Sequence, residues 1–131
     1  MNGENRRLAI EEEIRRAEEA LRAAELLYEN DFPADAVSKL YYALLYHIRA
    51  LLLSKGLEPR SHEGVLRLFG LHFVKTEIFP TDYSHTFSKM MKYREEADYN
   101  PSYTFTEQDY EEFRKEVLDV CNRVKEYLEK D

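Results

Sequence analysis

The chain has 131 residues, 44% of them hydrophobic and 34% charged, with four glycines, four prolines and a net charge of −7. That length suits one domain with a single core, here taken as residues 1–131, and the composition leaves no room for a long disordered linker. The acidic balance argues against a general nucleic-acid coat, the lone Cys121 excludes an internal disulfide, and no apolar run nears the roughly 20 residues of a membrane span. The opening residues Met1–Arg7 carry no hydrophobic stretch of a secretory signal, so the cytoplasm is the expected location. Both terminal segments are rich in glutamate. The stretch from Lys39 to Lys75 is predominantly basic and holds three of the four histidines, a modest anion-attracting surface.

The first predicted helix spans about Arg6 to Glu29, where Ile10, Ile14, Ala17, Leu21, Ala24 and Tyr28 recur at three- and four-residue steps. Asn30-Asp31-Phe32-Pro33 breaks it, and a second helix runs from about Pro33 to Lys55, ending at Gly56. Its core stripe is Val37, Leu40, Tyr41, Leu44, Leu45, Ile48, Leu51 and Leu52, while Tyr42, Tyr46, Arg49 and Leu53 form a second line. A helix apolar on two faces is either central in a bundle or shared with another subunit. Ser61 caps a shorter third helix to about Val74, weakened by Gly64 and Gly70. Lys75–Asp82 is read as a loop, and a fourth helix covers about Tyr83 to Tyr99, halted by Asn100-Pro101. Thr106 and Asp109 form a capping box for a fifth helix, about Glu107 to Lys130. Long helices with short connections pack as antiparallel neighbours. The expected fold is all-α: an up-and-down bundle of four main helices plus a short fifth.

The fourth helix departs from its own pattern. Tyr83, Phe87, Met90, Arg94 and Ala97 lie on one line, so a guanidinium falls where the apolar stripe should continue, with Asp98 one turn beyond. The pair either braces the end of the bundle or holds an anion, for which arginine's planar fork is suited. His47 beside the core line of the second helix and His62 at the start of the third are candidate ligand contacts, or structural histidines. Tyr41 is assigned to packing; Tyr42 and Tyr46, with Arg49, to a dimer interface, base stacking being the other use of such rings. No histidine pair has metal-ligand spacing, so no metal or cofactor is expected, and the absence of a glycine-rich phosphate loop excludes an ATPase or kinase.

Taken together, Ala36-Val37-Ser38, Tyr41-Tyr42-Ala43 with His47, Leu51-Leu52-Leu53, Lys55-Gly56, Ser61-His62, Gly64-Val65, Phe69, His72-Phe73 and Arg94 through Ala97-Asp98-Tyr99 resemble the HEPN domain, in its small stand-alone prokaryotic branch. The resemblance implies a four- to five-helix bundle, a symmetric dimer and, for many members, a small nucleotidyltransferase partner in a toxin–antitoxin pair. Active members are metal-independent ribonucleases marked by an arginine followed four to six residues later by a histidine, paired across the dimer cleft. Arg94 matches that arginine. Tyr99, Asn100 and Pro101 stand where the histidine would fall after it. Arg67 and His72 have the same spacing in the third helix, but five positions point side chains about 140° apart.

Three readings follow. The first is a homodimeric module binding a nucleotide, RNA or a nucleotidyltransferase. The second is a ribonuclease in which Tyr99, Asp98 or His62 replaces the missing base beside Arg94. The third is a structural adaptor.

Overall fold

The computed structural model describes residues 2–130, and among them five α-helices and no strand are formed. They are α1 (Gly3–Glu29), α2 (Pro33–Leu53), α3 (His62–Phe69), α4 (Thr81–Tyr99) and α5 (Glu107–Lys130), with a π-helical turn, Gly70–Val74, continuing α3. The bundle is the one the periodicities predict. α1 and α4 begin earlier than expected, α1 because the Asn2 side chain accepts from Asn5 N–H at 2.8 Å and extends the first turn.

The helix ends follow local chemistry. α1 closes with Phe32 N–H donating to Leu27 C=O at 2.8 Å while Asp31 takes φ 67°, a left-handed cap on an aspartate. α2 starts with Pro33 in its first turn and ends the same way, Leu57 N–H donating to Leu52 C=O at 3.0 Å over Gly56 at φ 77°. Thr106 and Asp109 make the reciprocal box, N–H to carboxylate at 2.9 Å and N–H to hydroxyl at 3.0 Å. The irregularity expected of the third helix takes a definite form: Lys75 N–H reaches back five residues to Gly70 C=O at 2.8 Å.

α2 is the centre. α1, α3, α4 and α5 all pack on it, and it is buried along nearly its whole circumference. Leu40, Tyr41, Leu44, Leu45, Ile48, Leu51 and Leu52 are almost wholly enclosed, packed with Phe69, Phe73, Phe87 and Met90 from the later elements and Val117, Val120 and Val124 from α5. Past Pro33 and Ala34, the α2 residues that are not buried are Asp35, Lys39, Tyr42, Tyr46 and Arg49, spaced alternately by four and three. At 3.6 residues per turn these fall on one line, an open stripe along an otherwise enclosed rod.

No helix among the described residues is long and apolar enough to cross a membrane.

Candidate functional site

Along α4 the buried sequence Tyr83, Phe87, Met90 ends at Arg94. The Arg94 side chain is 12% exposed, and the Asp98 carboxylate stands 3.6 Å from Nη1. At that distance the carboxylate offers charge, not a hydrogen bond. Arg94 Nε is buried with no partner among the described residues, a condition that typically costs about 1–3 kcal/mol if nothing arrives to meet it. The guanidinium carbon lies 5.4 Å from the Tyr41 ring centre and 6.0 Å from that of Tyr42, within cation–π range of both. Two consecutive tyrosines of α2 thus seat the arginine of α4.

Tyr41 also joins this site to α3. Its hydroxyl lies 2.8 Å from His62 Nδ1, and burial raises its pKa, so it remains a neutral phenol. His62 owes its position to the α3 cap: Ser61 Oγ accepts from Gly64 N–H at 2.9 Å. A Cβ on Gly64 would stand 2.9 Å from that oxygen and 3.3 Å from Pro59, so a larger residue there would push on the cap itself. Burial, then the Arg94 charge, pulls the His62 imidazole below its ordinary value, leaving it neutral at pH 7. The half-buried Tyr42 stands edge-on to Tyr41 at 5.3 Å and to His62 at 6.1 Å.

One turn further along α2, Tyr46 repeats the motif with a cation from α1. Arg16 lies 4.2 Å above its ring and donates to its hydroxyl at 3.1 Å. Below, Glu13 is only 7% exposed and holds Arg16 at 3.3 Å and Arg49 at 3.6 Å.

The expected site residues divide. Arg94, Asp98 and His62 come together. Tyr99 follows Asp98 at the end of α4, within electrostatic reach of Arg94, but its side chain is 74% exposed. His47, expected as a ligand contact, is 0% exposed: Nδ1–H donates to Ala43 C=O at 2.9 Å and Nε2 has no partner among the described residues. Packing on every side removes it from any ligand. Tyr42, Tyr46 and Arg49, expected at a subunit boundary, form the stripe that the chain's own helices leave open. Arg67 is exposed on α3, while His72 lies in the π-helical turn. Tyr41, assigned to packing alone, does that and also links Arg94 to His62. Arg16 and Glu13 were not anticipated; the available signal was a glutamate three residues after Ile10 and four before Ala17, on the buried side of α1. Among the described residues no group of three or more His, Cys, Asp or Glu gathers as a metal cage. Cys121 is buried and its thiol pKa is raised by burial, so it is unreactive.

An all-α bundle carrying a seated guanidinium at one edge of its central helix defines a class, and the sequence comparison gives it a name. Residues 10–127 match the HEPN domain model, and the chain belongs to the HEPN family. Among curated proteins it is 34% identical over 119 residues to one of Methanocaldococcus jannaschii named "Putative toxin MJ0142", covering 91% of this chain and 81% of the relative. A second from that archaeon, "Putative toxin MJ0605", is 38% identical over 112 residues, covering 86% of this chain and 83% of the relative. A Thermotoga maritima protein named "UPF0332 protein" is 34% identical over 115 residues, covering 88% and 87%.

Proposed function

We propose that this HEPN chain is the RNA-binding member of a toxin–antitoxin-type pair, and that Arg94 takes a phosphate of a single strand. The observation that carries the reading is the partly buried Arg94, with an unpartnered Nε and a carboxylate too distant to satisfy it, seated on two tyrosines. A planar fork with vacant donors beside aromatic rings suits a phosphate and its neighbouring base. Two copies would meet along α4 and the part of α2 beside Tyr42, leaving Tyr46 and Arg16 open, so that their Arg94 residues line one cleft, and a small nucleotidyltransferase would be the cognate partner. The toxin names of the relatives and the family's habit support that setting.

Anisotropy with a labelled single-stranded RNA tests it. Wild type should bind, Arg94→Ala should weaken binding by about tenfold or more, and Arg94→Lys should lie between. Equal affinity of wild type and Arg94→Ala for RNA defeats the reading.

A second reading is favoured by one observation, the His62–Tyr41 contact beside Arg94. With Nδ1–H donating to the Tyr41 oxygen, Nε2 of a neutral His62 presents a lone pair, the requirement for a general base. The chain would then be a metal-independent endoribonuclease, His62 accepting the ribose 2′-hydroxyl proton and Arg94 holding charge on the phosphate. RNA cleavage in the presence of a chelator, lost in both His62→Asn and Arg94→Ala, would establish it; intact RNA leaves the binding reading.

A further inference from the structure

Tyr42 and Tyr46 stand one turn apart on the open stripe of α2, with ring centres 6.0 Å apart and planes tilted by 34°. Each carries a guanidinium from a neighbouring helix, Arg94 of α4 beside Tyr42 and Arg16 of α1 over Tyr46. The separation is comparable with one extended sugar–phosphate repeat. Alternating rings and cations at that step form the pattern a single strand needs, a stacking face and a phosphate contact for each nucleotide.

The bland account makes Glu13, Arg16 and Arg49 a structural triplet. In that account Glu12, Glu13 and Glu19 match Arg15, Arg16 and Arg49 charge for charge, yet the Arg16 and Arg49 side chains remain 40% and 41% exposed. Glu13 therefore works as a fixed post that orients Arg16 over Tyr46 while part of its guanidinium still faces solvent, with Lys39 adding a further cation to the same groove. Opposite the rings, α1 presents Ala20 and Ala23, which keep a groove open between α1 and the stripe, with Lys39 at its end; Glu19 also lines it, paired with Arg15.

We infer that Arg16 over Tyr46 forms a second nucleotide subsite next to Arg94, so that the groove holds two consecutive nucleotides of one strand. The inference rests on the reading of Arg94 as a phosphate site.

Calorimetry with two probes tests it: adenosine 5′-monophosphate, and the 5′-phosphorylated adenine dinucleotide with its internal 2′-hydroxyl removed to prevent cutting. Wild type should bind the dinucleotide about tenfold more tightly than the mononucleotide. Arg16→Gln and Tyr46→Leu should each erase that advantage with mononucleotide affinity unchanged, while Arg16→Lys retains part of it. Arg94→Gln should weaken both probes. Melting curves of the variants establish that they are folded.

A dinucleotide advantage that survives in Arg16→Gln and Tyr46→Leu overturns the subsite and leaves the Arg94 reading standing. Unchanged affinities with a weakened self-association in sedimentation also overturn it, by showing that a second copy covers the stripe. Binding of neither probe to wild type, or no effect of Arg94→Gln, removes the Arg94 reading and the subsite with it.

Discussion

Arg94 and His62 share Tyr41 as a neighbour, and the charge of the first bears on the titration of the second. Removing that charge in Arg94→Ala should raise the His62 pKa toward the ordinary value of about 6.5, short of it because burial persists. A proton NMR titration of the imidazole reads the shift; an unmoved or lowered value refutes the coupling. His47 supplies a second residue-scale prediction. Burial holds its folded-state pKa below that of the unfolded chain, with Lys125 lowering it further and Glu18 opposing. The unfolded state therefore takes up the proton first as pH falls, so stability is fully present above about pH 6.5 and declines below it toward the folded value. His62 contributes with the same sign. The His47 share is the difference in denaturant stability between wild type and His47→Leu across pH 5 to 8, and the variant should show the shallower acid decline.

At the scale of the elements, most of the architecture was legible because its signals are local. Caps, breakers and three- to four-residue periodicity located all five helices, and α5 came out from Glu107 to Lys130 as read. The glycines of the third helix announced an irregularity, but its π-helical form depends on one carbonyl accepting from five residues on, which no residue type encodes. Gly56 permits a direct test. Its φ is 77°, and a Cβ there would lie 3.2 Å from the Arg6 guanidinium. Gly56→Ala should cost about 1–2 kcal/mol in urea unfolding, from the left-handed backbone alone if Arg6 moves aside. The Thr106 cap is a smaller quantity of the same kind: Thr106→Ala should cost about 0.5–2 kcal/mol, with α5 fraying first in hydrogen exchange.

At the scale of the whole molecule the site was only partly legible. Arg94 stood out because it interrupts its own helix's pattern. His62 could be named as a titratable group, but its approach to Arg94 through a buried phenol joins three helices and has no counterpart in sequence spacing. Arg16 is hidden further: its partner Tyr46 lies 30 residues on. On the proposed reading, RNA held on a chain of net charge −7 through a few seated arginines should respond to salt in proportion to those contacts alone. With two phosphates engaged, log affinity for single-stranded RNA should fall with log salt at a slope of roughly −1.4, and Arg94→Ala should reduce the slope by roughly 0.7. A slope many times steeper would place the contacts over a wider surface.

The open line on α2 has a bearing on how such a protein can change. Almost every other position of that helix is locked against a neighbour, so an altered side chain there registers first as lost folding. At Asp35, Lys39, Tyr42, Tyr46 and Arg49 each side chain reaches solvent, so a replacement disturbs fewer packed neighbours, and the same bundle can be retuned toward a new molecular target without being rebuilt. A change of target would then be written in those five places.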